Sequence, residues 1–319
     1  MSNPAISLVM PVYNVENFLS KALTSVENQT FKDFEMIIVD DGSSDKSCEI
    51  AEEFCGRNPN FKLIKQENSG PAAARNTGVM HCKGEYIAFM DSDDYLEKNF
   101  LEELYKLAKK TGADITCCNF NMYFPNKNLK IYMPFNSLPG VYTKSKALRK
   151  LILDVSVHYF IWNKLYKREL FMERNIKFDD MYFEDISTSP RLFYFAKTVA
   201  FTSKALYNYT MRENSILHSI NAKKVNDYIK ALGIIKSFLE ENNDYEKYSG
   251  HVWIYAQRVK FVVYYYIINL HLKALNFKGF GKNISCAMKS INYFTDKKIS
   301  GNIENIDVPY EVKDPQQKS

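Results

Sequence analysis

The stretch Ile87–Leu96, "IAFMDSDDYL", drives an apolar run straight into three carboxylates, Asp91, Asp93 and Asp94. Neighbouring carboxylates repel one another, so a core strand that ends in a cluster of them needs something to bind. Asp91 and Asp93, at i and i+2 on an extended segment, point to the same side. A divalent cation relieves the conflict, because two carboxylates are hard oxygen ligands suited to Mg²⁺ or Mn²⁺, which commonly sits between them and substrate phosphates. The plain alternative is an Asp-rich turn that caps the helix expected after Tyr95.

This strand is one of five in the first 120 residues. "AISLVM" (Ala5–Met10), "FEMIIV" (Phe34–Val39), "FKLI" (Phe61–Ile64), "EYIAFM" (Glu85–Met90) and "DITCCNF" (Asp114–Phe120) are short apolar runs, as expected of a sheet covered on both faces. Helical spacing fills the gaps, for example Leu19, Ala22, Leu23 and Val26, or Leu101, Leu104, Leu107 and Ala108. Ser44 and Asp45 stand as N-caps of the second helix, and Pro71 opens the third. The alternation predicts an α/β fold with a doubly wound, mainly parallel sheet. Ligands of such sheets bind beyond the carboxyl ends of the strands. The segments found there are "PVYN" (Pro11–Asn14), "DDGSSD" (Asp40–Asp45), "ENSGPAAARNTG" (Glu67–Gly78) and "DSDD" (Asp91–Asp94).

Composition narrows the class. The 319 residues are 46% apolar and carry a net charge of +5, enough for a packed core and too mild a basic excess for a dedicated nucleic-acid binder. Six cysteines without a Cys-x-x-Cys pair, and an N-terminus without a signal peptide, predict a reduced, cytoplasmic protein. The apolar run Phe261–Leu272 falls short of the roughly 20 residues of a spanning helix. Neither Gly-x-Gly-x-x-Gly nor a phosphate-loop motif occurs, so phosphates must be held another way.

In this order and spacing, "PVYN", "DDGSSD", "NSGPAAARNTG" and "DSDD" resemble the nucleotide-sugar half of an inverting family 2 glycosyltransferase of the GT-A fold. "WNKLYKRELF" (Trp162–Phe171), "FEDISTSPRLF" (Phe183–Phe193) and "YNYTMRENSI" (Tyr207–Ile216) resemble acceptor-side signatures of its bacterial branch, which builds surface polysaccharides, teichoic acid decorations and lipooligosaccharide. The resemblance covers about residues 5 to 218. It implies a 1–219 catalytic domain, a UDP-sugar donor and a glycan acceptor, with a lipid-linked acceptor fitting the branch.

The residues carry their own chemistry beside this. Pro11 and Tyr13 leave the first strand with a rigid kink and an aromatic face for a pyrimidine. Asp40 can accept a hydrogen bond from the imide N–H of uracil, a role the resemblance also implies; the structural alternative makes Asp40 and Asp41 turn residues before Gly42. Arg75 lies on a helix whose N-terminal N–H groups favour anions, with a surface salt bridge as its alternative role. By resemblance Arg75 lies beside the uracil, Asp91 holds the ribose with Ser92 next to it, and Asp93 is the main metal ligand. Glu184 and Asp185 follow the aromatic "MYF"; N-capping is their structural alternative. By resemblance Asp185 is the base that takes the acceptor proton, and Glu184 orients the acceptor or donor sugar. By resemblance Arg212 and Ser215 of "RENSI" close over the diphosphate, with a surface loop as the structural alternative, and His218 just beyond is an additional candidate ligand for the metal or a phosphate. Trp162, Asn163 and Lys164 offer a flat face and donors for a sugar ring, with a core role for Trp162 as the alternative.

After residue 220 the pattern becomes helical, with Val225, Ile229, Leu232 and Ile235, then Tyr255, Val259, Val262 and Tyr266. Between Ala222 and Lys289 eleven Lys/Arg stand against five Asp/Glu, and no acid occurs from Gly250 to Ser290. Residues 220–305 therefore read as a helical appendage, and 306–319 as a disordered tail. Two readings of the appendage stay open: peripheral contact with the inner face of the cytoplasmic membrane, or a helical core and homodimer interface. Two competing functions are a nucleotidyltransferase that makes nucleotide-sugars, which calls for a Gly-rich N-terminal loop where this chain has "PVYN", and a catalytically silent scaffold that binds a partner enzyme, which has no need of Asp93 and Asp185 together.

Overall fold

The structure is a computed structural model that describes residues 3–133, 138–212, 221–273 and 279–293. Ser215, His218 and the tail lie outside the described residues. The chain divides into two compact units. The first comprises Met1–Leu151, Val155–Asp180 and Thr188–Met211; the second comprises Ile152–Asp154, Met181–Ser187 and the described residues from Arg212 onward.

The first unit opens with β1 (Ile6–Val12), α1 (Glu16–Glu27), β2 (Phe34–Asp40), α2 (Ser47–Arg57), β3 (Phe61–Lys65), α3 (Gly70–His81) and β4 (Tyr86–Phe89). A two-residue β5 (Tyr95–Leu96) and α4 (Phe100–Thr111) lead into the long β6 (Ile115–Phe124). Then follow β7 (Leu129–Met133), β8 (Gly140–Thr143), α5 (Lys144–Ile152), β9 (Lys164–Lys167), α6 (Glu169–Met172), α7 (Glu184–Phe195) and β10 (Thr198–Thr210).

Every residue of β2 is buried, and so is all of β1 but Pro11, as continuous apolar strands require when helices cover both faces. The sheet order is β3-β2-β1-β4-β9-β6-β10-β5, with β7 beside β6 and β8 beside β10. β3, β2, β1 and β4 run parallel, and β10 runs parallel to β6. All five strands expected from sequence share one direction, but β4 and β6 are not neighbours. The antiparallel β9 lies between them, pairing Ala88 with Leu165 and Thr116 with Leu165. Its sequence, "KLYK", alternates too briefly to stand out as a strand, and its fully buried Leu165 and Tyr166 become core only through this insertion.

Close packing of α3 on β1 depends on Gly78. A Cβ there would stand 2.3 Å from Val9 Cγ1, a distance no side chain tolerates. Helix α4 begins at Phe100, with Asn99 as its first flanking residue, and ends on Gly112 in the left-handed region at φ 66°. The acids of "DSDD" therefore do not cap it.

The second unit holds α8 (Ala222–Glu241), α9 (Tyr245–Lys273) and α10 (Phe280–Tyr293). Asn221 caps α8, its Oδ1 accepting from Lys224 N at 2.8 Å. Val225, Ile229, Leu232 and Ile235 are buried, and so are Tyr255 and Val259 on α9. Among the described residues no helix is long and apolar enough to cross a membrane. The segment Met181–Ser187 belongs to the same compact unit as these helices. Asp227 of α8 holds it, its Oδ2 accepting from Tyr182 N at 2.9 Å, and the rings of Phe183 and Tyr228 meet edge to face at 5.4 Å.

Candidate active site

At the carboxyl edge of the sheet Val12 stands in register with Asp40, and Asp40 with Lys65. Pro11 is half-buried and Tyr13 is 48% exposed, its ring open to a ligand. Asn14 takes a left-handed φ of 48°, tolerable for Asn, and latches the loop: its Oδ1 accepts from Ser44 N at 2.8 Å. The starts of α1 and α2 interlock in the same place. Val15 N donates to Ser47 Oγ (2.9 Å), Glu16 N to Asp45 Oδ2 (3.0 Å) and Lys46 N to Glu16 Oε2 (3.0 Å). Asp45 therefore works across two helices. Burial pushes its carboxyl up, but the Ser47 hydroxyl and the N–H groups of Ser47 and Glu16 outweigh this and lower it overall.

Asp40 is buried and receives a long 3.4 Å hydrogen bond from Ser43 N. Its neighbour Asp41 caps α3: Oδ1 accepts from Ser69 N (3.0 Å) and Gln66 Nε2 (2.7 Å), and Oδ2 from Gly70 N (2.8 Å). The anion favoured at the start of α3 is thus supplied internally, since the Asp41 carboxylate accepts from these N–H groups.

Arg75 is buried, and its Nη2 meets Asp91 Oδ1 at 2.8 Å. It is thus no surface salt bridge. The pair joins α3 to the segment after β4, and the Arg75 guanidinium lies 5.9 Å from the centre of the Phe178 ring. Asn76, next on the helix, exchanges two hydrogen bonds with the Phe178 backbone at 2.8 and 2.9 Å, fixing the loop behind Arg75.

The last acid of "DSDD" turns inward. Asp94 is buried; its Oδ2 accepts from Tyr207 Oη and its Oδ1 from Thr210 N, each at 2.7 Å. Tyr207 Oη also accepts from Asp91 N at 3.1 Å. Burial pushes the Asp94 carboxyl well above the usual range, the charges of Asp93 and Asp91 add to this, and the two donors oppose it. Ser92 is buried, while Asp91 and Asp93 are half-exposed.

The hard oxygens of Asp91 and Asp93, and the negative charge that Asp94 feels from them, fit a divalent cation. Among the described residues no three His, Cys, Asp or Glu side chains gather as a full cage. Mg²⁺ or Mn²⁺ needs none when phosphates and water complete its shell.

Trp162, Asn163 and Lys164 do not form an open sugar platform; the structure uses them in the core. Trp162 stacks on Phe160, Tyr207 and Tyr209, with ring centroids 4.7, 4.3 and 5.8 Å away. Asn163 Nδ2 donates to Cys118 O at 2.8 Å, and the Lys164 ammonium donates to the carbonyls of His158 and Phe160 and to Asn163 Oδ1. A buried ammonium needs such acceptors, which takes its donors away from solvent. Through Tyr207, this aromatic stack supports the DSDD segment from behind.

Glu184 and Asp185 form the first turn of α7 in the second unit, after Phe183 at a left-handed φ of 62°. Ile186 N donates to Asp185 Oδ1 at 2.9 Å. Arg212 is half-buried in the same unit. The sequence reading missed Asp41, Asp94, Tyr207 and Asp227. Asp41, Asp94 and Tyr207 stood inside motifs that were visible in the sequence, whereas Asp227 carried no such signal.

The sequence model of Glycosyl transferase family 2 matches residues 7–174, from β1 through α6, and the chain belongs to this family. It is 34% identical over 252 residues to EpsH of Bacillus subtilis (strain 168), which bears a glycosyltransferase name, covering 78% of this chain and 73% of EpsH. It is also 34% identical over 226 residues to the cholesterol galactosyltransferase of Borreliella burgdorferi, covering 68% of this chain and 63% of that protein. S. aureus TarS 1–349 shares the fold, with a TM-score of 0.68 at 21% identity over 92% of this chain and 81% of that one. The architecture is thus that of a GT-A glycosyltransferase with a C-terminal helical region.

Proposed function

We propose that the chain transfers a sugar from a UDP-sugar to a hydroxyl of a growing surface glycan, inverting the anomeric centre in one displacement and using Mn²⁺ or Mg²⁺ held chiefly by Asp93. The observation that carries this reading is the Arg75–Asp91 pair beside the half-exposed Asp93, at the strand ends that also present Tyr13 and Asp40. Tyr13 packs on the base. The Asp40 carboxylate accepts from the uracil imide N–H, a donor that cytosine lacks. Asp91 and Arg75 bind the ribose and base edge, where the buried guanidinium keeps Asp91 in one orientation. A metal bound here supplies charge stabilisation of the departing diphosphate. Asp185 takes the proton of the incoming hydroxyl, Glu184 orients the sugar, and Arg212 with Ser215 closes on the diphosphate. The motif set supports a lipid-linked or polymeric glycan acceptor. In the same direction, TarS crystallises with UDP-GlcNAc and with UDP. A mannosyltransferase from Pyrobaculum calidifontis, with a TM-score of 0.53, was solved with GDP-Man and Mn²⁺, so the fold accommodates another donor.

The test is a panel of UDP-, GDP- and CDP-sugars scored for binding and slow hydrolysis, with and without Mn²⁺. Binding confined to UDP-sugars and strengthened by Mn²⁺ is expected. Preference for GDP-sugars, or equal binding in EDTA, overturns the donor or the metal assignment respectively.

A further inference from the structure

Helix α9 is apolar on two opposite sides. Val252, Val259, Val263 and Ile267 face the interior of its unit and are fully buried. On the other side Ile254, Phe261, Tyr265 and Leu272 recur at helical spacing and stay exposed, Phe261 at 77%. From Ile254 to Leu272 the stripe runs about 27 Å along the helix at 1.5 Å per residue. Trp253 flanks it, 55% exposed. A surface helix normally places polar residues on its outer side, so a second apolar stripe of this length points to a binding partner.

The charge around the stripe selects the partner. Six Lys/Arg and no Asp/Glu occur from Gly250 to Ser290. Arg258 lies within the stripe, half-exposed, with its guanidinium 3.6 Å from the Asp154 carboxylate. A second copy docked through the same face would bring like charges together, and Asp154, the acid recorded at the stripe, is already engaged by Arg258. An anionic surface meets this basic excess, which includes Arg258 and the exposed Lys282 and Lys289, with opposite charge. The aromatic content agrees, since Trp and Tyr suit the depth of lipid headgroups, where one end of the ring is apolar and the other wet.

We propose that the exposed side of α9 is a docking surface for an anionic lipid bilayer, binding peripherally through the Ile254–Leu272 stripe and its surrounding basic residues. This inference is independent of the sugar donor.

The chain carries its own probe. Of its two tryptophans, Trp162 is buried and Trp253 borders the stripe, so a change of environment in the emission reports on Trp253. The full chain is mixed with vesicles of neutral phosphatidylcholine or of phosphatidylcholine with phosphatidylglycerol, and emission, acrylamide quenching and flotation are measured. Expected are a blue shift and at least tenfold weaker quenching with the anionic vesicles only, reversed by high salt as surface electrostatics are screened. The double variant Phe261→Glu/Tyr265→Glu should lose at least tenfold in vesicle binding while its UDP-sugar hydrolysis and circular dichroism stay unchanged. Should that variant misfold, Trp253→Ser with flotation alone tests the same surface. Absence of binding to anionic vesicles at low salt overturns the proposal. So does shielding of Trp253 that follows protein concentration rather than lipid, with a dimer in light scattering, which assigns the face to a second copy.

Discussion

The hydroxyl of Tyr207 donates to Asp94 Oδ2 at 2.7 Å and, with the same oxygen, accepts from Asp91 N at 3.1 Å. One phenol thus fixes both ends of the DSDD turn. Its ring is held in turn by Trp162 at 4.3 Å. Tyr207→Phe keeps the stack but leaves a buried acceptor and a backbone N–H without this partner. A loss of about 1–3 kcal/mol of stability is expected, read as a lower urea midpoint at unchanged slope, together with weaker UDP binding. Full stability with weakened UDP binding would place Tyr207 at the ligand instead of behind the turn.

This relationship marks where sequence legibility ends. The direction of β1, β2, β3, β4 and β6, the strand-end location of the acids and the helical character after residue 220 follow from local periodicity, which each segment carries by itself. Asp94 differs from Asp93 only through what lies opposite, and that is Tyr207, more than a hundred residues later. Likewise "WNK" reads as an exposed recognition motif until β9 is inserted between β4 and β6, which turns Trp162 and Lys164 inward. Asp227 holds Tyr182 across forty-five positions, a pairing that no spacing rule reports.

Asp45 gives a pH prediction. Its folded-state carboxyl is lowered, so the stability it contributes is present above the unfolded value of about 3.9 and is lost as pH falls through the folded value. The stability difference between wild type and Asp45→Asn should be constant above about pH 5 and shrink as the pH falls below about 4. Chemical denaturation at a series of pH values checks this; a difference that grows on acidification contradicts the assignment.

On the proposed assignment of the cation to the half-exposed Asp93, Asp93→Ala should abolish the Mn²⁺ dependence of UDP binding measured by calorimetry. Turnover should fall with it, as the leaving diphosphate loses its counter-charge. Asp94→Asn is the comparison: it costs the turn one of its two accepted hydrogen bonds but keeps Asp93, so UDP binding should weaken as in Tyr207→Phe while its Mn²⁺ dependence stays. An Asp93→Ala protein that binds UDP and turns over in EDTA as the wild type does in Mn²⁺ refutes the ligand assignment.

Asp185→Asn separates chemistry from donor binding. The side chain sits in the first turn of α7 within the second unit, whereas Asp40, Arg75 and Asp91 all belong to the first. Removing a general base should lower kcat by about 10²–10⁴-fold and leave UDP-sugar affinity unchanged. The segment that carries Asp185 is held to α8 by the Tyr182 N–H at Asp227 Oδ2, 2.9 Å away, with Lys223 Nζ on the same oxygen at 3.0 Å. If Asp185 is the base proposed above, Asp227 positions it through Tyr182. Asp227→Ala should reproduce the kcat loss in milder form, again with donor affinity intact, and Asp227→Asn should restore part of it because its amide oxygen can still accept from Tyr182 N. In the pH profile, Asp227→Ala should keep the acidic limb, the fall in rate as the proposed base is protonated, that Asp185→Asn removes. Loss of UDP-sugar affinity in Asp185→Asn, at unchanged stability, would instead make it a donor-binding residue.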